Sequence, residues 1–126
     1  MTINNFLKQA IKDKSPMVQP HHLDAALDDE NSDMRRAAAR HPNASKENLD
    51  KALNDESPYV RGDAVEHPNA TKEHLNKAMN DKSHDVRYAA ASQPNATKEH
   101  LDAALDDEDS DVRYAAVIRL KNNDYK

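Results

Sequence analysis

Four times along the chain an aspartate is followed six residues later by an arginine: Asp29/Arg35, Asp55/Arg61, Asp81/Arg87 and Asp107/Arg113. A carboxylate beside a guanidinium can serve as a catalytic pair, and it can equally tie neighbouring elements together through charge-assisted hydrogen bonds. Four evenly spaced copies suit a stacking device better than a single active centre. Each Asp falls just before a helix start, where it can accept backbone N–H groups, and the Arg can reach an Asp of its own or the adjoining unit.

Two metal chemistries are suggested and then fail. The run Asp106-Asp107-Glu108-Asp109-Ser110-Asp111 has the alternating carboxylates of a calcium loop. Such a loop needs Gly at its sixth position and Glu at its twelfth, where this chain has Val112 and Ile118. The run, with Asp28-Asp29-Glu30 on the same edge, reads as an acidic rim of helix-joining turns. Of the seven histidines, His22, His74 and His100 occupy one repeated position, a unit apart in space, while His41 and His67 precede prolines. No His-x-x-x-His pair exists to hold zinc from one helix face. With Cys 0 there is no thiolate nucleophile or ligand. No Ser or Thr sits in a strained nucleophile motif. The expectation is a protein that is not an enzyme and carries no cofactor or metal.

Composition narrows the partners. The chain has 126 residues and a formal charge of −5, which argues against a polyanion. No apolar stretch approaches the ~20 residues of a membrane helix. An amino terminus containing Asn4, Asn5, Lys8 and Gln9 is not that of a signal peptide, so a cytoplasmic location is expected. A single Gly excludes phosphate-cradling loops and tight hairpins, leaving helix as the main element. Leu, Ile, Val and Phe are scarce enough that disorder competes, unless regular patterning overcomes it.

The patterning is a repeat. Pro42-Asn43-Ala44, Pro68-Asn69-Ala70 and Pro94-Asn95-Ala96 recur every 26 residues, as do Leu23, Leu49, Leu75 and Leu101. The chain divides into a start over 1–14, units 15–40, 41–66, 67–92 and 93–118, and a tail over 119–126. Each unit predicts two short helices. Gln19, Ser45, Thr71 or Thr97 caps the first, and Asn31, Ser57, Ser83 or Asp109 the second. Leu-x-x-Ala-Leu gives the first helix an apolar stripe, and Met34, Val60, Val86 or Val112 with following alanines gives the second one. The second helix stops before proline, which pushes the preceding residue out of the α region. Residues 1–14, with Phe6, Leu7, Ala10 and Ile11, read as an amphipathic capping helix. One unit cannot bury both stripes alone, so the expected fold is all-α: a right-handed α-solenoid of four two-helix repeats behind that cap.

The segment Asp81-Lys82-Ser83-His84-Asp85-Val86-Arg87-Tyr88-Ala89-Ala90 resembles the second-helix signature of HEAT-like repeats. The short period and Pro-Asn-Ala-Thr-Lys-Glu-His-Leu are more similar still to variant leucine-rich repeats, a short α-solenoid family familiar from bacterial and phage reading frames. The resemblance covers 15–118. It implies that Asp29, Arg35, Asp55, Arg61, Asp81, Arg87, Asp107 and Arg113 form a structural ladder. It implies little about activity, because such scaffolds bind proteins or nucleic acids alike. The cysteine cluster of one such protein is absent, so no iron–sulfur role carries over.

Positions at which the copies differ are the informative ones. After the ladder Arg stand Arg36, Gly62, Tyr88 and Tyr114; two residues before it stand Asp33, Tyr59, Asp85 and Asp111; at the helix end stand Arg40, Glu66, Ser92 and Ile118. Solvent-facing Tyr and Arg are the material of binding hot spots, and Tyr can also shield a thin alanine core. Arg36, Arg40, Tyr59, Tyr88 and Tyr114 are therefore the candidate partner-binding residues, on a concave second-helix face. The expected function is a monomeric protein-binding module, an adaptor or stoichiometric inhibitor. A phage-encoded antagonist of a host protein fits its size and acidity. The alternative is a nucleic-acid binder using Arg35, Arg36, Arg40, Arg61, Arg87, Arg113 and Arg119. It loses force if the ladder occupies its arginines.

Overall fold

Nine helices and no strand form among residues 3–126, the part of the chain that the computed structural model describes. Helix α1 spans Asn5–Lys12, and four pairs follow: α2 Pro20–Ala26 with α3 Ser32–Arg40, α4 Lys46–Ala52 with α5 Pro58–Glu66, α6 Lys72–Ala78 with α7 His84–Ala91, and α8 Lys98–Ala104 with α9 Ser110–Lys121. The second helices pack on one another in a continuous row, α3 on α5 on α7 on α9, and α1 joins that row against α3. The result is an all-α, solenoid-like array with a repeating pattern of helix contacts.

Local chemistry explains the boundaries. Asn31 and Asp109 cap α3 and α9 through side-chain oxygens that accept backbone N–H groups. His41 and His67 are extended, with ψ of 137° and 139°, because each precedes a proline. Ser83 adopts the cap conformation without a side-chain bond, unlike the expectation for that series. At the first helices the third residue completes a reciprocal cap: Nδ1 of His74 and of His100 accepts from the Thr71 and Thr97 N–H at 2.8 and 2.9 Å. Since Nδ1 accepts, the neutral ring carries its proton on Nε2.

The core is thin and made of small residues. Leu23, Leu49, Leu75 and Leu101 are fully buried, as are Ala38, Ala64, Ala90 and Ala116. Phe6 departs from the sequence expectation. It is 83% exposed, while Ile3, Leu7, Ala10 and Ile11 face the array. One residue of rotation, about 100°, takes Phe6 out of the helical stripe that Leu7, Ala10 and Ile11 share.

Side chains then bond unit to unit. Nε of Arg35, Arg61 and Arg87 donates to Oδ2 of Asp55, Asp81 and Asp107 in the following unit, at 2.8–2.9 Å. Nη1 of each donates at 2.8 Å to the backbone carbonyl of its own unit's Asp, namely Asp29, Asp55 and Asp81. Each Arg therefore clamps two successive turns. Lower down, Nδ2 of Asn43, Asn69 and Asn95 donates to the carbonyls of Val18, Ala44 and Ala70 in the preceding unit. His41 and His67 reach the carbonyls of Ser15 and His41 through Nε2.

The ladder ends differently at its two extremities. At Asp29 the cationic partner is Lys8 of α1, at 3.2 Å, in place of an arginine. Arg113 bonds the Asp107 carbonyl at 2.7 Å and meets no carboxylate among the described residues.

Candidate functional site

The second-helix row presents its variable residues on one face. Tyr59 and Tyr114 are each 67% exposed and Tyr88 45%, so these rings stand in solvent and do not roof the alanine core. Tyr88 and Tyr114 flank an open groove of about 390 Å³ between α7 and α9, with His84, Asp85 and Asp111. Two phenolic rings edged by carboxylates can pack against a partner side chain and direct hydrogen bonds to its backbone.

Towards the amino-terminal end the same face is organised by Arg36. Its Nε donates to Asp63 Oδ2 at 2.8 Å, across from α3 to α5, and its guanidinium lies over the Tyr59 ring, 5.4 Å from the centroid. Asp63 stands where the other units have Ala37, Ala89 and Ala115. A charge within an otherwise all-alanine column is the signal that the sequence carries for this pair. The pair holds the Arg36 guanidinium above its ordinary pKa, through the hydrogen bond to Asp63 against the cost of burial. It also fixes one edge of Tyr59 by a cation–π contact.

Beyond Arg36 the surface is cationic. Lys12, Lys14, Arg36 and Arg40 line a groove of about 350 Å³ between the end of α1 and α3. A second groove of about 390 Å³, bounded by Lys14, Arg36, Arg40, Asp63 and Glu66, continues it towards α5. Lys12, Lys14 and Arg40 make no ion pair among the described residues. Lys14 has φ 58, the left-handed conformation that ends α1, so its backbone N–H and that of Ser15 return to the Ile11 and Ala10 carbonyls. The face thus runs from basic at one end to tyrosine and carboxylate at the other.

The remaining candidates are placed elsewhere. Arg35, Arg61 and Arg87 lie buried in the ladder, and Arg119 is buried with Nη1 on the Ala91 and Gln93 carbonyls. Arg119 occupies the repeat position of His41 and His67, and it substitutes for them in bonding the preceding unit. His74 and His100 are cap residues whose Nε2 atoms meet Asp50 and Asn76 of the preceding first helix. Burial pushes His100 below the usual histidine range. On the first-helix side Lys51 spans Asp24 and Asp28, so that surface is laced by its own pairs. No group of three or more metal-ligating side chains comes together among the described residues. No helix of the described residues is long and apolar enough to cross a membrane. No protein-family model and no curated protein matches the chain.

Proposed function

We propose that this chain is a non-catalytic, monomeric protein-binding module, an adaptor or stoichiometric inhibitor built as a HEAT-like, right-handed array. Its partner lies along the inner, second-helix face. The observation that carries this reading is the exposure of Tyr59, Tyr88 and Tyr114 on the second-helix row, beside buried core residues and the ladder pairs. Aromatic rings and arginines on a rigid support bring contact area at small entropy cost. The gradient from Lys12, Lys14 and Arg40 to Asp85 and Asp111 gives the partner an orientation, because the reversed pose would face like charge with like.

The test compares wild-type protein with a Tyr59→Ala, Tyr88→Ala, Tyr114→Ala variant in affinity capture from the native host. The reading requires a protein that the wild type retains and the variant loses at unchanged melting temperature. Equal retention by both would sink it.

Nucleic acid is the rival. Seven arginines supported it on sequence, but three are bound to ladder carboxylates, Arg36 to Asp63, and Arg119 to backbone carbonyls. Arg40 and Arg113 are too few for tight phosphate tracking. A mobility shift at about 0.15 M salt would promote the rival if it showed tight binding, since weak phosphate attraction fades at that ionic strength.

A further inference from the structure

Two cations stand side by side at one repeat position, and neither meets a counter-charge among the described residues. Lys14 lies one repeat before Arg40, so the two occupy the same place at the ends of α1 and α3, in a column that continues with Glu66, Ser92 and Ile118. The turn that carries Lys14 is tied to the next unit, because Nε2 of His41 meets the Ser15 carbonyl at 3.2 Å just as His67 meets that of His41. Neighbouring helices lie about 8–10 Å apart, a gap that two long side chains can close on one small anion. Both residues line the two adjoining grooves between α1, α3 and α5.

Lys14 is also in an uncommon place for its type. It ends α1 at φ 58, with its N–H on the Ile11 carbonyl at 3.1 Å and that of Ser15 on the Ala10 carbonyl at 3.0 Å. The left-handed residue of such a helix end is ordinarily glycine or asparagine, whose backbone adopts it at least cost. The chain meets that preference at Asn123, which follows α9 at φ 53. At Lys14 the favoured residue types give way to a charge held in a fixed position beside Arg40, and no carboxylate among the described residues uses that charge.

We propose that Lys14 and Arg40 bind a glutamate carboxylate in an acidic segment of the partner protein, a conclusion that rests on the inner face being the protein-binding surface. Three observations select this ligand. Of the two arginines in the grooves only Arg40 has its guanidinium open, since Nε and Nη2 of Arg36 are turned to Asp63 at 2.8 and 3.4 Å. One open guanidinium with one ammonium matches a single carboxylate, held bidentate by Arg40. Ile11 and Ala37 line the same groove as Lys14 and Arg40, and they offer the methylenes of a glutamate side chain an apolar wall. Asp33, Asp63 and Glu66 stand along the grooves, so a strand of regularly spaced phosphates would meet like charge, whereas a peptide places its carboxylates singly.

The test titrates the full chain with a capped peptide Ala-Glu-Glu-Ala-Glu-Ala at about 0.05 M salt, and nuclear magnetic resonance follows the arginine Nε–H and backbone N–H signals. The Arg40 Nε–H and Lys14 N–H signals should move saturably, with Kd of about 1 mM. Lys14→Gly should weaken binding about fivefold while the melting temperature stays level or rises, because glycine suits the left-handed turn. Arg40→Gln should weaken it about tenfold at unchanged melting temperature, and the peptide with glutamine for each glutamate should not bind. The Tyr59→Ala, Tyr88→Ala, Tyr114→Ala protein should bind the glutamate peptide as the wild type does. That arm keeps the two readings apart, since the peptide result stands or falls at Lys14 and Arg40 whether or not the tyrosines retain a partner. No saturable shift at Arg40, or binding that Lys14→Gly and Arg40→Gln leave intact, overturns the proposal. A melting temperature that falls in Lys14→Gly overturns it too, by showing that the lysine serves the turn. A stronger response to inorganic phosphate or to single-stranded oligothymidylate, at equal concentration, overturns the carboxylate in favour of a phosphate-bearing ligand.

Discussion

Arg61 and Asp81 belong to different units, yet Nε and Nη2 of the arginine lie 2.8 and 3.0 Å from the two carboxylate oxygens of the aspartate. Their side chains are only 6% and 11% exposed. A pair so shielded keeps most of its attraction, and removing one member leaves the other charged and without a partner.

Replacing Arg61 by Ala should therefore lower unfolding free energy by about 3 kcal/mol, the low end for a broken buried pair. Arg113→Ala, with its guanidinium in water, should change stability by no more than about 0.5 kcal/mol. Urea denaturation of the two variants checks this. Equal losses would mean that position along the ladder does not matter.

A second contrast uses leucines at one repeat position. Leu53→Ala removes a side chain that is 4% exposed and should cost about 2–5 kcal/mol through lost burial and a cavity. Leu105→Ala, starting from 38% exposure, should cost less than about 1 kcal/mol. The same denaturation series reads both, and a large loss at Leu105 would show that this side chain is packed in solution.

Gly62 lies in the middle of α5, and a Cβ built on it would meet nothing within 4 Å. Helical glycine has conformational freedom to lose and nothing here requires it. Gly62→Ala should raise stability by about 0.5–1 kcal/mol, seen as a higher melting temperature. A decrease would reveal a role for the bare backbone.

Acid should weaken the array before any carboxylate titrates. Burial pushes His41 below its ordinary value of 6.5, against the pull of the Ser15 carbonyl and helped by nearby His67 and Lys14. Its Nδ1 accepts the Asn43 N–H at 3.0 Å, a bond that protonation would destroy. The unfolded chain takes up the proton first. The contribution of a neutral His41 is thus complete above pH 6.5 and is lost as pH falls through that value towards the lower folded-state pKa. His100, lowered by burial, acts in the same direction. The urea midpoint should fall between about pH 7.5 and 5.5. His41→Gln, which copies the residue at position 93, should flatten part of that slope.

How much of this was legible beforehand differs by kind of interaction. The 26-residue step, the caps and the prolines are local properties, and they marked out all-α units because helix starts and stops depend on neighbours within a few residues. The same step identified Arg35, Arg61 and Arg87 as one series, but not whether each would reach an Asp of its own unit or the next. That choice depends on how far one unit is displaced from another, which only stacking sets. Stacking also decided that Asp63 would meet Arg36, that Lys8 would meet Asp29, and that Tyr59 would lie under a guanidinium. Arg113 shows the division most plainly. By sequence it matches its three counterparts, and what separates it is that no carboxylate meets it among the described residues. Burial and ion pairing belong to the surroundings of a residue, so identical letters at identical spacing yield a buried clamp at Arg61 and an exposed guanidinium at Arg113.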